Sequence, residues 1–322
     1  EVLEINCEQH KVQTTHGELH YDQLVIATGA DTNYFNNVEI QRNALPMKSI
    51  GESLQLRNQL LSCMEQAILE TDEKKRDELL HVCIVGAGPT GVELAGALSE
   101  MRDRVLPNDY PEIDFSKMEI SLVEAGDRIL PTMSTPSSTA SFKFLEGMGI
   151  NVRLNTQVER YDGRQMVTAS GEIMHCKTLI WAAGVTGNLI DGLPLESYTQ
   201  RGQIRTDAFS AVIGVRDIWA VGDIADMEVA GTSKRWPQVA QVAIQQAKLL
   251  ASNILKKSDD DRVPFEYKDL GGMATIGRSK AVADLPGIQM HGFFAWIFWL
   301  FVHLMNILGV KNKFFVFVDW TW

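Results

Sequence analysis

The sequence predicts an α/β protein in which two parallel sheets are interleaved along the chain. Residues 81–98, HVCIVGAGPTGVELAGAL, have the pattern of a buried strand, a glycine turn and a helix. Upstream, YDQLVIATGAD (21–31) contains another apolar strand that runs into a glycine, and DIWAVGD (217–223) repeats that design downstream. Strand and helix signals alternate between these segments, which favours parallel strands joined by helices.

The composition is that of a globular protein with ample apolar sequence for buried cores. Hydrophobic residues make up 45% of the 322 residues and charged residues 22%. The formal net charge is −11 and no Lys/Arg-rich stripe is present, which argues against nucleic acid as a partner. The four cysteines form no C-x-x-C pair, which argues against a zinc site or a disulfide framework and favours a reducing compartment such as the cytoplasm.

The N-terminal segments are expected to be a strand meander followed by a helix. Residues 1–26 alternate apolar and polar side chains and lead into a buried strand at 24–27. Residues 50–79 have an apolar repeat of about 3.6 residues, which predicts a helix. The charged run at 70–78 is expected to be a solvated helix end or a linker. The apolar face of the predicted helix consists of Leu54, Leu56, Leu60, Leu61, Met64, Ile68 and Leu69.

Strands and helices continue to alternate after the first strand-turn-helix unit, whose helix is expected to end near Arg104. MEISLVEA (118–125) is predicted to be a strand, and residues 137–158 a helix followed by a strand. TLIWAAGV (178–185) is predicted to be a buried strand that enters a glycine turn. A further helix is predicted over residues 237–257.

The glycine turn in VGAGPTGVELAG is a candidate dinucleotide-binding site. Gly86, Gly88 and Gly91 fit the pattern G-x-G-x-x-G, and the turn also contains Pro89 and Thr90. The first glycine permits the tight turn, the second lets the backbone approach a pyrophosphate, and the third allows close packing of helix on strand. The helix N-terminus adds free N–H donors and a partial positive charge. The alternative is a tight turn that binds no ligand.

An acidic residue at the end of the second strand is expected to hold the adenosine ribose, and Glu124 is the candidate. It lies further from the turn than the usual spacing of about 20 residues, and the insertion RDRVLPNDYPEIDFSKM accounts for the difference. A carboxylate accepts hydrogen bonds from the ribose 2′-OH and repels a 2′-phosphate, which favours NADH over NADPH. Arg128 nearby weakens this preference, and Glu124 is alternatively a solvent-facing residue at a strand end.

Three short motifs resemble the two-dinucleotide flavoprotein disulfide reductase superfamily. They are ATG at 27–29, the glycine turn at 86–91 and AVGD at 220–223, and their order and spacing are more specific than any one of them. The resemblance implies an NADH domain inserted into an FAD domain. The chain would leave the FAD domain after the ATG turn and return to it at the G-D motif.

The same resemblance implies flavin contacts at four residues. Thr28 and Gly29 match the exit, and Gly222 and Asp223 match the return, where the superfamily's aspartate binds the ribityl chain. Apart from the resemblance, Asp223 is equally consistent with a helix cap or a turn residue. The superfamily's first G-x-G-x-x-G, which holds the FAD pyrophosphate, is expected before residue 1. We therefore expect the FAD site to be incomplete in these 322 residues, with weak binding or none.

Longer segments resemble the type II NADH:quinone oxidoreductases, single-subunit respiratory NADH dehydrogenases that pump no protons. The segments are GVELAG, WAAGV, AQVAIQ, GGMATIGRSKAV and GFFAWIFWLFVHL. The resemblance implies that Ala183 and Gly184 contact NADH. It also implies that Glu93 lies near the nicotinamide and the flavin, where it relays protons or helps to position the two partners. Without the resemblance, Glu93 is an ordinary first-turn glutamate that complements the helix dipole.

The helix after Pro237 contains A-Q-x-A-x-Q, which places Gln241 and Gln245 on one face with Gln238 close to the same line. Under the resemblance, these amides contact a quinone carbonyl beside the flavin. The alternative is that they lie on the solvent-exposed face of an amphipathic helix, and the presence of Lys248 on that face supports this alternative.

The apolar run HGFFAWIFWLFVHLMNILGV (291–310) contains His303 and Asn306 and is short of a clear membrane span. A spanning helix, a buried core helix and a helix in the membrane interface are the alternatives. The family is monotopic, and Phe and Trp with Lys311 and Lys313 favour the interface. The resemblance implies a peripheral enzyme on the cytoplasmic face of the bacterial inner membrane. It also implies menaquinone or ubiquinone as acceptor, and leaves a homodimer possible.

The expected domains follow from the inserted arrangement. They are 1–78 and 200–262 for the two parts of the FAD domain, 79–199 for the NADH domain, and 263–322 for a C-terminal membrane-anchoring region. The chain begins in mid-strand and ends where the family continues, so we expect a piece truncated at both ends. Two other functions stay open, a soluble FAD-dependent NADH oxidase or ferredoxin-type reductase and a non-catalytic NADH-binding fragment.

Overall fold

The structure is a computed structural model that describes residues 1–307 and 309–321. The strands, in chain order, are β1 (Val2–Asn6), β2 (Lys11–Thr14), β3 (Gly17–His20), β4 (Leu24–Ile26), β5 (Ala30–Thr32), β6 (Leu45–Pro46), β7 (Val82–Val85), β8 (Ile120–Val123), β9 (Asn151–Arg153), β10 (Val158–Tyr161), β11 (Gln165–Thr168), β12 (Ile173–His175), β13 (Thr178–Trp181), β14 (Val185–Gly187), β15 (Ile204–Thr206), β16 (Ile218–Ala220), β17 (Ala225–Met227), β18 (Gly272–Gly277), β19 (Lys280–Leu285) and β20 (Ile288–Gly292). The helices are α1 (Val38–Asn43), α2 (Ile50–Leu69), α3 (Glu73–Leu80), α4 (Pro89–Arg104), α5 (Leu106–Asp109), α6 (Thr135–Gly147), α7 (Ala240–Ile254), α8 (Phe293–Asn306) and α9 (Val310–Thr321).

The chain forms two compact units, and each is built from two separate stretches of sequence. Unit 1 is Glu1–Asn33 with Val185–Leu270, and unit 2 is Tyr34–Gly184 with Gly271–Trp322. The chain thus leaves unit 1, builds most of unit 2 and returns, which confirms the predicted interleaved α/β fold. The unit boundaries differ from the expected domain boundaries, because residues 34–78 and the C-terminal sheet pack within unit 2.

The centre of unit 2 is a parallel sheet with the strand order β6-β13-β7-β8-β9. Every residue of β7, β8 and β13 is buried, as expected for a parallel sheet covered on both faces. Helices α2, α4 and α6 pack on one face around Ile84, Leu122 and Ile180. The antiparallel sheet β10-β11-β12 and helix α1 cover the other face. The predicted order of strands and helices in this region is therefore confirmed.

Two details of the predicted helix at 50–79 are wrong. Leu54, Ile68 and Leu69 were expected on its buried face, but all three are exposed, with Leu69 at 82%. The buried stripe lies instead at Leu56, Leu60, Cys63, Met64 and Ala67. The charged run at 70–78 is mostly a second helix, α3, because the Asp72 side chain caps it by accepting from two backbone N–H groups.

Unit 1 brings together strands from distant parts of the sequence. The N-terminal meander is confirmed as the antiparallel sheet β1-β2-β3. Strand β4 pairs in parallel with β16, so the ATG and AVGD motifs leave the same sheet at the same edge. Strand β4 was expected to be buried, but only Ile26 is; Val25 is exposed on the opposite face. The helix predicted at 237–257 is α7, which begins only at Ala240 because its N-cap, Val239, has extended backbone.

The C-terminal sheet β18-β19-β20 docks on α4 through strand β18. Gly96 allows this contact, since a Cβ there would lie 1.9 Å from the Ile276 carbonyl oxygen. The carboxylates of Glu93 and Glu100, two turns apart on α4, accept the backbone N–H groups of Thr275 and Arg278. The Thr275 donor lies in β18 and the Arg278 donor in the turn that follows this strand.

A carboxylate also joins the C-terminal sheet to α6. Asp284 on β19 accepts hydrogen bonds from the Ser134 N–H at 2.6 Å, the Ser134 Oγ at 2.8 Å and the Ser137 Oγ at 2.7 Å. Ser134 is the N-cap of α6, so this acid complements the positive end of that helix. The sheet is therefore held to unit 2 by both charge-assisted hydrogen bonds and backbone packing.

The substitution Gly96→Ala should destabilise the protein by about 1–3 kcal/mol, because the new methyl group overlaps the Ile276 carbonyl. Gly51→Ala in α2 is the matched control, since its Cβ would meet only the Ser49 hydroxyl at 3.9 Å. The control should be stabilised by about 0.5–1 kcal/mol through helix propensity. Thermal unfolding of both variants tests the opposite signs, and a shared sign would contradict the docking contact.

Candidate functional site

The turn between β7 and α4 is made of backbone packed against backbone. Gly86 has φ of +102°, and a Cβ there would lie 2.6 Å from the Ala182 carbonyl oxygen and 2.7 Å from the Ala183 Cα. A Cβ at Gly91 would lie 1.9 Å from the Gly86 carbonyl oxygen. Both positions therefore require glycine for packing alone, and the loop after β13 forms the wall behind the turn.

Gly88 differs from these two glycines, because a Cβ there would meet no protein atom within 4 Å. It is the N-cap of α4 without a side-chain cap, and Pro89 and Thr90 after it are exposed. The first turn of this 16-residue helix therefore directs backbone N–H groups and a partial positive charge into open space. This arrangement suits an anion such as a pyrophosphate.

Glu124 directly follows β8, and its side chain reaches the turn. One carboxylate oxygen accepts the Ala87 N–H at 2.7 Å and the other accepts the Gly126 N–H at 2.8 Å. A carboxylate has room for further donors after two such bonds, so a ribose contact by Glu124 stays a prediction. Arg128 binds its own loop, with a 2.5 Å bond to the Pro131 carbonyl oxygen.

In unit 1, the parallel pairing of β4 with β16 places Thr28, Gly29, Gly222 and Asp223 at one edge. Gly29 and Gly222 both have left-handed backbone, with φ of +69° and +77°. The Thr28 hydroxyl donates to the Asn188 carbonyl at 2.8 Å, and the Asn188 amide donates back to the Thr28 carbonyl at 3.1 Å. The four predicted flavin residues are thus brought together, while their contact with a flavin stays a prediction.

Gln246 is a residue of this edge that the sequence reasoning missed. It is only 2% exposed, and its side-chain oxygen accepts the Gly222 N–H at 2.8 Å. The sequence signal for its role is a glutamine within the apolar stripe of α7, since Val242 and Leu250 are buried on the same face. Gln238, also near this edge, donates to the Asp223 carbonyl oxygen at 2.7 Å.

Gln241 and Gln245 contact a neighbouring segment of their own unit. The Gln245 amide donates to the Lys268 carbonyl at 2.9 Å and accepts the Lys268 N–H at 3.0 Å. The Gln241 oxygen accepts from the Tyr267 hydroxyl at 3.2 Å and from the Leu270 N–H at 3.3 Å. These contacts align residues 267–270 along α7, and a quinone contact by either amide stays a prediction.

Glu93 is half-buried on α4, and its carboxylate accepts the Thr275 N–H at 3.2 Å. Burial raises the pKa of this carboxyl above its ordinary value, while the Thr275 N–H and the positive field of His303 oppose the rise. A carboxyl in this state suits proton transfer, and it also anchors the C-terminal sheet. A proton-relay role therefore stays a prediction beside this structural one.

A cavity of about 710 Å³ lies at the opposite, N-terminal edge of the parallel sheet, where Lys117, Glu119 and Gly149 line it. The residues predicted to bind NADH, namely those of the turn at 86–91, Glu124, Ala183 and Gly184, lie instead after the carboxyl ends of β7, β8 and β13, where ligands bind in open α/β sheets. The size of this cavity therefore does not identify the site.

Residues 1–247 match the family model for pyridine nucleotide-disulphide oxidoreductases, so the fold and the two turns define a member of that class of flavoprotein-type proteins. Residues 270–322 match a second model, the NDH2 C-terminal domain. The chain is 34% identical over 339 aligned residues to the type II NADH:quinone oxidoreductase NdhA of Mycobacterium tuberculosis, covering 98% of this chain and 71% of the relative. The chain belongs to the type II NADH:quinone oxidoreductase family.

Two further comparisons agree with this assignment. Ndh, another type II NADH:quinone oxidoreductase of Mycobacterium tuberculosis, is 33% identical over 94% of this chain and 66% of its own length. The structure of NDH2 from Plasmodium falciparum in complex with NADH has the same fold, with a TM-score of 0.89 at 23% identity. That comparison covers 99% of this chain and 82% of the other. The chain spans about two thirds of the length of these curated relatives.

The raised pKa of Glu93 predicts a pH-dependent stability. The folded state holds this proton above the unfolded pKa, so the free energy of unfolding falls as pH rises through the folded pKa. Glu93→Gln keeps an acceptor for the Thr275 N–H and removes the ionisation. The variant should therefore gain in melting temperature relative to the native protein between about pH 5 and about pH 8. If the melting temperatures of the variant and the native protein differed by the same amount at both pH values, the raised pKa of Glu93 would be contradicted.

Proposed function

We propose that this chain belongs to an enzyme that passes two electrons from NADH through FAD to a membrane quinone without pumping protons. The observation that carries the proposal is the 34% sequence identity, over 98% of this chain, with a relative named as a type II NADH:quinone oxidoreductase. The geometry of unit 2 supports the NADH end, and that of unit 1 supports the flavin end. Menaquinone and ubiquinone are both acceptors of suitable chemistry.

The proposed NADH site is the turn at 86–91 with Glu124. Gly88 leaves room for the pyrophosphate against the helix N-terminus, and the backbone N–H groups there donate to it. Glu124 would accept from the adenosine ribose. The close contact of Gly86 with Ala183 supports the proposal that Ala183 and Gly184 contact the same ligand.

For FAD, the residues that this chain would supply are Thr28, Gly29, Gly222 and Asp223. The two left-handed glycines allow the backbone to approach a ligand, and Gln246 fixes the position of the second. FAD, when bound, supplies the two-electron carrier between nicotinamide and quinone. The Gln238 amide donates to the Asp223 carbonyl oxygen at that edge, and the Asp223 carboxylate would bind the ribityl chain.

At the quinone end, we propose that Gln241 and Gln245 of unit 1 position the quinone. For unit 2, we separately propose that Glu93 takes part in proton transfer. Both amides are already bonded to residues 267–270, so a quinone would share them or would contact the segment that they hold. Burial raises the pKa of Glu93, which favours its protonated form and supports a role in proton transfer.

We further propose that α8 and α9 lie in the interface of the cytoplasmic membrane leaflet. In α8 the one buried residue is Ala295, and Phe294 is 78% exposed, so α8 is not a buried core helix. Phe301 and Phe314 are exposed as well, and large exposed apolar patches mark interaction sites. Over the part of the chain that the structure describes, no helix combines the length and the apolar character needed to cross a membrane. The association of two copies stays a prediction from the sequence.

The proposed activity is tested with the enzyme to which this chain belongs, loaded with FAD, in liposomes that contain menaquinone or ubiquinone. NADH should be oxidised with matching formation of quinol. Glu124→Ala should weaken NADH binding by about 1–3 kcal/mol, because a charged hydrogen-bond acceptor is lost, and should leave quinone binding unchanged. Absence of NADH-dependent quinol formation with both quinones would overturn the proposal.

Membrane attachment is tested by sedimentation with neutral phosphatidylcholine vesicles, because the net charge of −11 opposes anionic lipid. The double variant Phe294→Glu with Phe301→Glu should lower the bound fraction roughly tenfold or more, since two aromatic side chains lose their burial in lipid. Leu69→Glu, an equally exposed apolar position on α2, is the control and should bind as the native protein does. Equal binding by all three would contradict the assignment.

A further inference from the structure

Phe35 has an unusual backbone conformation for a bulky residue. Its φ is +51° and that of Asn36 is +59°, so two successive non-glycine residues are left-handed. This conformation is rare for large side chains and persists only where the surroundings impose it. Residues of this kind concentrate at functional sites, which makes the position of the Phe35 side chain informative.

The neighbours of Phe35 hold this conformation in place. The Asn37 N–H donates to the Tyr34 carbonyl at 2.9 Å, which closes a tight turn around Phe35 and Asn36. The Asn37 side chain caps α1 and also donates to the Glu159 carbonyl at 2.7 Å. Tyr34 stacks on the buried ring of Trp181, with ring centroids 6.3 Å apart. The turn is thus fixed at both ends.

The Phe35 ring lies directly on Gly184, in the loop after β13. A Cβ at Gly184 would lie only 3.2 Å from Phe35 Cζ, so the missing side chain at 184 makes room for this ring. Gly184 itself has φ of +146°. Nevertheless, Phe35 is 62% exposed, so the ring is presented to the exterior of unit 2 instead of filling its core.

The order of strands in the sheet determines which half of a bound dinucleotide reaches this ring. Strand β7 carries the glycine turn, and β8 and β13 flank it on opposite sides. A dinucleotide with its pyrophosphate at the turn and its adenosine ribose at Glu124 extends over β8 with one half. The other half, which ends in the nicotinamide, must then extend over the carboxyl end of β13, where Ala183 and Gly184 follow the strand.

We propose that the Phe35 ring contacts the nicotinamide ring of NADH and helps to fix its orientation. This proposal rests on the proposed NADH site and adds a contact residue to it. Planar rings pack on aromatic side chains in offset-stacked or edge-to-face arrangements, which restrict the tilt of the ligand. Phe35 also borders a cavity of about 370 Å³ with Tyr34 and Trp181, which leaves the ring space to adjust to the ligand.

The test compares two ligands that share the adenosine half. NADH carries the nicotinamide, and ADP-ribose lacks it, so calorimetric titration of both separates the two halves of the site. Phe35→Ala should weaken NADH binding roughly 3- to 10-fold, the range for one aromatic contact, and should leave ADP-ribose binding unchanged. Phe35→Tyr should restore NADH binding to within about twofold because it keeps the ring.

Val38→Ala is the matched control, since Val38 is an exposed apolar residue three positions along the same segment. It should bind both ligands as the native protein does. Unchanged NADH binding by Phe35→Ala, or an equal loss of NADH and ADP-ribose binding, would overturn the Phe35 assignment while the NADH site stands. If the native protein bound neither ligand, the proposed NADH site would fail and this inference with it.

Discussion

The nucleotide edge of unit 2 depends on three stretches of backbone that touch one another with no side chain between them. Gly86 packs on the Ala182–Ala183 peptide, and Gly91 packs on the Gly86 carbonyl. A methyl group at either glycine would overlap main-chain atoms, which have little freedom to shift. Because the turn is fixed from behind in this way, the first N–H groups of α4 point outward at a defined place. The site at the helix N-terminus follows from this contact.

The corresponding edge of unit 1 depends on the pairing of two strands. Strands β4 and β16 are far apart in sequence and adjacent in space, and most of unit 2 lies between them in the sequence. Parallel pairing aligns the carboxyl ends of β4 and β16. The ATG and AVGD motifs, each of which is a weak signal in the sequence, therefore lie together at one edge of the sheet. Gln246 then supplies a buried acceptor for the N–H of the half-buried Gly222.

The sequence could predict those features that short local patterns encode. Buried strands such as β7, the glycine turn and the approximate starts of α2, α4, α6 and α7 follow from periodicity and from residues with special backbone freedom. It could not predict which face of α2 is buried, because Leu69 and Leu56 are equally apolar and only the neighbouring elements distinguish them. Nor could it predict the partners of Gln245 or Glu93. Thr275 lies 182 residues from Glu93, and no local pattern encodes such a pairing.

Almost every side of helix α4 faces another part of the protein or the proposed ligand. Its first turn faces the proposed ligand, Val92 and Ala95 face the parallel sheet, and Gly96 with Glu100 faces strand β18. Only its two ends and Ala97 between them are exposed. Under neutral drift, α4 should therefore change more slowly than the adjacent α3, whose first turn is fully open to solvent. The rate of sequence divergence along α3 and α4 should therefore fall as the number of residues that each position contacts rises.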